Sequence, residues 1–373
     1  MADRAHQELL SWIRLARSEG VGTKTFRHLL ERFTTATEAV ERLPEFVRSG
    51  GRPLKLLPAA DAEREFQTAH RLGLTYVTWA HPHFPDALKA IEDAPPLLVV
   101  KGQTDVLAEP MIAIVGARNA TVNGRKMARI LAAELAAEGL VVLSGLARGV
   151  DGAAHEGALT VGGGRTVAVV AGGTDVIYPP EHAKLHARIA ETGAVVSEMP
   201  PGTEPQAPLF PRRNRIISGA SIGVVVVEAT LRSGSLITAR LAADQGRDVF
   251  AVPGSPLDPR AHGPNSLIRD GAVLVQSKDD IIEQLPLKRG SGAKKSTGLE
   301  PRHQGTENKS QIDERDIRLQ IESALGTAPA AVDELVRQCQ VSAAVVATVL
   351  MELELAGRLE RLPGNRVALV GTV

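Results

Sequence analysis

Cysteine and long apolar runs are the scarcest features of this 373-residue sequence. A single cysteine, Cys339, excludes an internal disulfide and a cysteine-rich zinc site, which favours a reducing compartment. The opening stretch, MADRAHQELLSWIRLARSEG, has the charged amphipathic pattern of a helix and not the pattern of a signal peptide, and no later run resembles a membrane span. We therefore expect a soluble, cytoplasmic protein that does not use a membrane.

The chain also has no net charge and few aromatic side chains. The chain has 43 basic and 43 acidic residues, so any affinity for nucleic acid has to come from a local patch. Aromatic residues make up only 3% of the chain, which argues against a long platform for stacking bases. Frequent glycine and proline between apolar runs favour an α/β protein over a β-sandwich.

The first 75 residues have helical periodicity and predict a small helical domain of the SAM or helix-hairpin-helix type. Its apolar face is formed by Leu9, Leu10, Ile13, Leu15, Phe26, Leu29, Leu30 and Phe33. The turn Gly20-Val-Gly22, followed by Thr23-Lys-Thr25, resembles the phosphate-binding turn of a helix-hairpin-helix. We favour an ordinary turn between two helices, because glycine-rich turns between helices are common.

Residues 76–286 predict a Rossmann-like, doubly wound and mostly parallel sheet, with residues 76–110 leading into it. The apolar runs do not alternate with polar residues, as is typical of strands covered on both faces. The predicted strands are Ile112–Val115, Leu140–Leu143, Val167–Val170, Ala194–Val196, Gly223–Val227, Val249–Val252 and Val273–Val275.

Residues 287–311 are poor in apolar side chains and predict a flexible linker. Residues 312–373 then predict a winged-helix-like domain with helices at Ile312–Leu325, Ala331–Cys339 and Ser342–Leu355, followed by a β-hairpin. The third helix has no lysine or arginine, so we favour a protein-contact role over reading of the DNA major groove. The basic wing (Arg358, Arg361, Arg366) keeps a DNA-binding role open.

Loops that follow the strands carry the candidate binding residues, because ligands of open parallel sheets bind beyond the carboxyl ends of the strands. Gly116 and Arg118 follow the first strand of the parallel set, and Ser144, Gly145 and Arg148 follow the second. Neither loop has the glycine pattern of a dinucleotide site or of a P-loop. Glycines that allow close backbone approach, beside arginines, predict phosphate binding.

The segment Leu209-Phe-Pro-Arg-Arg-Asn-Arg215 has three arginines in four positions and precedes a predicted helix. We expect Arg213, Asn214 and Arg215 to face the same phosphate pocket, with Arg212 pointing away. Two hydroxyl donors, Ser233 and Ser235, open the helix after the fifth strand and complete the predicted set.

Three pairs of side chains could instead carry a reaction or hold a metal: Asp151 with His155, His182 with His186, and Glu198 with Glu228. The first pair is more typical of a capping aspartate and a packed histidine than of an acid and a base. The histidine pair lacks a third ligand, and the glutamates more often organise arginines than cleave a glycosidic bond. We expect no catalytic residue, no metal and no cofactor.

Many short motifs, in order, resemble the DNA-processing protein A family, known as DprA or Smf. The resemblance covers roughly residues 75–285, and it rests on Val115-Gly-Ala-Arg118, Ser144 to Asp151 with His155, Gly172 to Pro179, Ser197-Glu198, Phe210 to Ser218, Glu228-Ala with Ser233 to Ala239, Val252-Pro-Gly254 and Gly263 to Ile268. The segments Thr78 to Pro85 and Pro95 to Gly102 resemble the way in which family members lead into their Rossmann-like domain.

The resemblance implies a non-enzymatic protein that binds single-stranded DNA entering during natural transformation, protects it and helps to load the RecA recombinase. It also implies a homodimer. The family's DNA pocket corresponds here to Arg118, to Ser144 with Gly145, and to the Arg213-Asn-Arg215 motif; Arg148 is added because its loop lies at the same edge of the predicted sheet.

Two other functions remain open from the sequence. One is a nucleotide N-glycosidase of the phosphoribohydrolase type, whose Pro-Gly-Gly-x-Gly-Thr loop is replaced here by Ala229 to Ser235. The other is a transcription regulator that binds DNA through the winged helix and senses a small ligand in the Rossmann-like domain.

Overall fold

A computed structural model describes residues 2–48, 55–285, 318, 321, 325, 330–332, 335–336, 341–362 and 366–370. The chain forms two compact units, Met1–Lys288 and Arg289–Val373, and each is described by itself. The predicted linker, residues 287–311, lies outside the described residues.

The first unit begins with a group of amphipathic helices: α1 (Ala2–Ala16), α2 (Thr23–Phe33), α3 (Ala36–Arg48) and α4 (Ala59–Arg71). Leu10, Ile13, Leu15, Phe26 and Leu29 are buried, as their spacing predicts. Rings of Trp12 and Phe26 meet the ring of Trp79, which follows the first strand of the sheet. The helices therefore share a hydrophobic core with the sheet.

Nine strands form the sheet of the first unit. Their bounds are β1 (Thr75–Thr78), β2 (Leu97–Gly102), β3 (Met111–Val115), β4 (Val141–Ser144), β5 (Thr166–Val169), β6 (Ala194–Ser197), β7 (Gly223–Val226), β8 (Asp248–Ala251) and β9 (Val273–Leu274). The spatial order is β1-β2-β6-β5-β4-β3-β7-β8-β9. Strands β3 to β9 pair in parallel, whereas β1 and β2 pair antiparallel.

Helices cover both faces of this sheet. They are α5 (Asp86–Lys89), α6 (Val122–Ala137), α7 (Val150–Ala158), α8 (Ala183–Thr192), α9 (Leu209–Ala220), α10 (Gly234–Asp244), α11 (His262–Arg269) and α12 (Lys278–Ile282). Successive residues of β3 enter opposite cores: Ala113 and Val115 belong to one apolar cluster, and Ile112 and Ile114 to the other. Burial on both faces is the reason why the strand sequences are almost wholly apolar.

The fold predicted from the sequence is confirmed: the sheet is Rossmann-like, doubly wound and mostly parallel. All seven predicted strands are present within two residues of their predicted bounds. The two antiparallel strands, β1 and β2, were not predicted as strands. The signal was nevertheless present, because β2 contains a continuous buried apolar run, Leu97 to Val100, like the runs from which the other strands were predicted.

The second unit contains α13 (Ala343–Leu355) and a small antiparallel sheet of β10 (Ala330–Ala331), β11 (Leu359–Leu362) and β12 (Arg366–Leu369) in the order β10-β12-β11. The predicted third helix and the hairpin are thus confirmed. The predicted start of the second helix at Ala331 is wrong, because Ala331 pairs with Arg366 in the sheet. Wing residue Arg361 forms an ion pair with Glu354 of α13.

Candidate nucleic-acid interface

The candidate site lies where the winding of the sheet reverses, between β3 and β7. These strands are parallel neighbours, so the loops after Val115 and Val226 leave the same edge of the sheet side by side. The backbone N–H of Ala117 donates to the carbonyl of Glu228 at 2.6 Å, which joins the two loops directly. In an open α/β sheet such a crevice is the usual ligand site.

Arg118 presents its side chain to solvent at this edge. Its guanidinium carbon lies 5.1 Å from the ring centroid of Phe210, and the Phe210 ring lies 5.8 Å from the ring of Tyr178. Arg118 has no carboxylate at ion-pair distance among the residues that the structure describes. An exposed cation held against an aromatic face is well placed to meet a phosphate and an adjacent base.

The carboxylate of Asp151, at the start of α7, fills the space between the loops. It accepts backbone hydrogen bonds from Gly116, Gly145 and Ala147. Burial raises the pKa of Asp151 to about 6, while Arg213 and these N–H donors act in the opposite direction. The expectation that the N–H groups of Gly116 and Gly145 face a phosphate is therefore corrected, because an internal carboxylate already occupies them.

Ser144 and Arg213 also point inward. The Ser144 hydroxyl is fully buried and donates to the carbonyl of Ile114 at 2.6 Å. The Arg213 side chain donates to the carbonyl of Gly145 at 2.6 Å and to that of Val169. Burial lowers the pKa of Arg213 to about 10, with Arg118 adding to the effect and Asp151 opposing it. A methyl group on Gly145 would overlap the Arg213 guanidinium, which explains the glycine.

Among Arg212, Arg213 and Arg215, it is Arg215 that is bound most closely to carboxylates. Arg215 pairs with Glu198 and donates to the carbonyl of Asp93 at 2.6 Å, with only 11% of its side chain exposed. Arg212 is the exposed member, at 59%, with its Nε 3.6 Å from Glu198. The expected orientation was thus the reverse of the observed one: Arg213 is buried, Arg215 is turned inward and mostly covered, and Arg212 faces solvent.

The remaining predicted residues divide between surface and interior. Arg148 is exposed and forms an ion pair with Glu181. Asn214 is buried, and its amide reaches the carbonyl of Gly234 at 3.4 Å. Ser235 is buried, and the hydroxyls of Ser233 and Ser235 bond each other at 2.7 Å. Of the ten predicted residues, Arg118 and Arg148 are the two that bring a cationic group to the surface.

The paired groups proposed for catalysis or metal binding have structural partners. The Thr166 hydroxyl donates to the carbonyl of Val142, so it accepts from Nδ1 of His155. Burial lowers the pKa of His155 to about 3, with smaller contributions from His182 and Arg213. His182 and His186 each bond a backbone carbonyl, of Leu146 and of Thr174.

Glu228 caps the start of α6. Its carboxylate accepts from the backbone N–H of Thr121 at 2.8 Å and from the Thr121 hydroxyl, and a methyl group on Gly124 would collide with it. A negative charge from the protein itself therefore stabilises the N-terminus of α6, a place where a phosphate is otherwise favoured.

Several basic residues at this edge were missed from the sequence. Arg125, Lys126 and Arg129 of α6 and Arg260, from the loop between β8 and α11, line a groove beside Arg118. No motif marks them. Their spacing on α6 was the available signal, since residues three and four apart share a helix face.

Family profiles match nearly the whole described chain. Residues 75–286 match DNA recombination-mediator protein A, residues 6–68 the DprA-like N-terminal HHH domain, and residues 306–365 the DprA winged helix domain. The chain belongs to the DprA (Smf) family. The second unit is accordingly a winged-helix domain of the DprA type.

Two members of the DprA family are similar to this chain over most of their own length. The chain is 42% identical to protein Smf of Escherichia coli over 77% of this chain and 75% of that one. It is 46% identical to DNA processing protein DprA of Bacillus subtilis over 57% and 72%.

Two solved DprA structures share the fold. The X-ray structure of Streptococcus pneumoniae DprA gives a TM-score of 0.63 at 34% identity, covering 75% of this chain and 98% of that chain. The Helicobacter pylori protein, described for its single-stranded DNA binding mode, gives 0.51 at 32% identity, covering 56% and 94%.

Among the helices that the structure describes, none combines the length and the apolar character required to cross a bilayer.

Proposed function

We propose that this chain binds single-stranded DNA, with little regard to sequence, at the edge formed by the loops after β3, β4 and β7. The observation that carries the proposal is Arg118, an exposed guanidinium without a carboxylate partner among the described residues, lying 5.1 Å from the Phe210 ring. Phosphate contacts of this kind position a strand without reading its bases. The H. pylori relative, described for single-stranded DNA binding, supports the choice of ligand.

The preference for a single strand follows from the neighbouring aromatic pair. Gly145, Gly172, Tyr178 and Phe210 border a cleft of about 10 Å³, which is room for about one water molecule and not for a base. Tyr178 is 44% exposed, so an unpaired base stacks on the outside of its ring. A base inside a duplex has no free face for such stacking.

The other eight predicted residues, which are buried or half-buried, hold these groups in position. In this proposal Gly116, Ser144, Gly145, Arg213, Asn214, Arg215, Ser233 and Ser235 form the framework on which Arg118 and Arg148 are displayed. Glu228 and Asp151 serve the same framework, because each carboxylate is bound to backbone N–H groups. We infer a binding protein and not an enzyme, with no cofactor.

The wider role that we propose is the one that the family resemblance suggests: protection of incoming single-stranded DNA in the cytoplasm during natural transformation, and its transfer to RecA recombinase by a homodimer. Sedimentation of the purified chain tests the dimer. The rate of RecA filament growth on a strand already covered by this protein tests the transfer, and an unchanged or slower rate contradicts it.

The primary experiment is a titration with single- and double-stranded oligonucleotides of two unrelated sequences, each at two salt concentrations. We expect single strands to bind more tightly than duplexes, the two sequences to bind alike, and affinity to fall steeply with salt. Tight binding of one sequence only, or of duplex only, contradicts the proposal. Release of a free base from nucleoside monophosphates would support the phosphoribohydrolase alternative instead.

Arg118→Ala identifies the site. We expect about tenfold weaker binding of every single strand and a salt slope lower by about 0.7, the value for one phosphate contact on a single strand. Arg240→Ala is the matched control. Arg240 is exposed on α10, so this substitution removes the same charge outside the site. Equal affinities of the two variants contradict the assignment.

A further inference from the structure

A second cationic surface adjoins Arg118. The groove noted above, bordered by α6, α7 and the loop before α11, has a volume of about 970 Å³. Its cations are Arg118, Arg125, Lys126, Arg129, Arg148 and Arg260, whereas Glu156 brings the one carboxylate among the described residues that line it. In a chain with equal numbers of acidic and basic residues, this is a strong local excess of positive charge.

Five of these six cations are available to a ligand, whereas Arg260 is held by two hydrogen bonds to the carboxylate of Asp258. Arg125 and Lys126 are exposed and, like Arg118, have no carboxylate at ion-pair distance among the described residues. Arg129 and Arg148 pair with Glu156 and Glu181 in bridges whose side chains are 44–62% exposed. Pairs this exposed contribute little to stability, so an incoming phosphate can displace the carboxylate.

The position of Arg125 and Lys126 supports a binding role. They follow the first residues of α6, Val122 to Gly124, and the first turn of that helix has no acidic side chain. Positive charge near a helix N-terminus opposes the helix dipole, so these residues do not serve the stability of α6. Glu228 has to supply the negative charge that this terminus favours.

The lining of the groove defines its ligand. No aromatic side chain except the ring of His182 borders it, so it offers cations for phosphates and no platform for stacked bases. The edge near Phe210 and Tyr178, in contrast, offers aromatic rings for stacking. Arg118 contacts the Phe210 ring and also lines the groove. Because the two surfaces meet at one residue, a single strand can occupy both.

We propose that the sugar-phosphate backbone of a bound single strand runs on from Arg118 through this groove, held by Arg125, Lys126 and Arg129. This inference rests on the proposed function and adds a direction to it: bases are engaged at the Tyr178–Phe210 end, and the strand continues along α6. Binding affinity then depends on strand length until the groove is filled.

The test compares Arg125→Ala/Lys126→Ala with a control of equal charge change, Arg188→Ala/Arg240→Ala, whose residues are exposed on α8 and α10 outside the groove. Each is titrated with homothymidine strands of about 5 and about 25 nucleotides, one near the lower end and one beyond the upper end of the footprints of single-strand-binding domains. We expect the groove variant to bind the long strand about tenfold more weakly, with a salt slope lower by about 1.4, and the short strand as the wild type does.

Each of the other outcomes contradicts one defined part of the proposal. Equal loss on short and long strands means that the groove is not a continuation of the Arg118 site. No loss on either strand, with Arg118→Ala still defective, overturns the groove and leaves the proposed function intact. Failure of the wild type to bind either strand overturns the proposed function itself. Matching thermal unfolding of all variants shows that each is folded.

Discussion

Two groups of arginines at one edge of the sheet have opposite surroundings. Arg213 and Arg215 come from the densest basic motif in the sequence, yet Arg213 is buried, the Arg215 side chain is only 11% exposed, and both are bound to carbonyls or carboxylates. Arg118 comes from a stretch with no other charged side chain, Gly116 to Gly124, yet it faces solvent with no carboxylate partner in the described part of the chain. Local density of charge in a sequence therefore does not identify the cations that are free to bind a ligand.

The physical reason is the cost of burying a charge. A guanidinium inside a protein has to satisfy its donors within the protein, and Nη1 of Arg213 does so through the carbonyls of Gly145 and Val169, whereas its Nε has no hydrogen-bond partner among the described residues. Those bonds fix the loop after β4 against the end of β5. The buried arginines shape the site, and the exposed ones are available for the ligand.

The largest effect should come from Arg213→Ala. It leaves the two carbonyls without their donor and removes the cation nearest the buried Asp151, so we expect the free energy of unfolding to fall by about 3 kcal/mol or more. Arg118→Ala should change it by less than about 0.5 kcal/mol. Chemical denaturation of both variants measures the difference, and equal stabilities would remove the distinction between the two groups.

Two buried ionisable side chains, His155 and Asp151, should also determine how the stability depends on pH. The depressed pKa of His155, about 3, means that the unfolded chain binds this proton more readily. The stabilisation is then complete above about pH 6.5 and is lost as pH falls, by about 1.4 kcal/mol per unit. Asp151, with its pKa raised to about 6, acts in the opposite sense: its stabilisation is complete below about pH 4 and is lost as pH rises toward 6.

His155→Gln isolates the histidine. The stability advantage of wild type over this variant should shrink by about 2 kcal/mol between pH 7 and pH 5, as followed by urea unfolding. Arg118→Ala should show the wild-type pH profile, since Arg118 belongs to the exposed group. A pH-independent advantage over His155→Gln would contradict the assigned burial.

The smallest expected effect concerns Tyr178, the exposed aromatic ring beside Phe210 at the Arg118 site. Tyr178→Leu removes a stacking face, so single-stranded DNA should bind with about 1 kcal/mol less free energy, roughly fivefold weaker, at unchanged thermal stability. Tyr178→Phe keeps the face and should bind as the wild type does. Equal affinity of the leucine and phenylalanine variants, measured by fluorescence anisotropy, would exclude stacking on this ring.

The sequence predicted the fold well because buried parallel strands are continuous apolar runs, as in β3 and β7. It also placed the predicted loops at one edge, since that follows from topology alone. Side-chain direction could not be read in the same way. That Asp151 fills the space between the Gly116 and Gly145 loops depends on contacts across three separate segments, and no local pattern of residue types encodes it.

The central claim is tested most directly by chemical modification of the wild-type protein, with and without single-stranded DNA. Arginine and lysine reagents followed by mass spectrometry report on each side chain separately. We expect Arg118, Arg125 and Lys126 to react in the free protein and to be protected by DNA, while Arg213 and Arg215 stay unreactive in both. Reactive Arg213 and Arg215 that DNA protects, with Arg118 unaffected, would contradict the account.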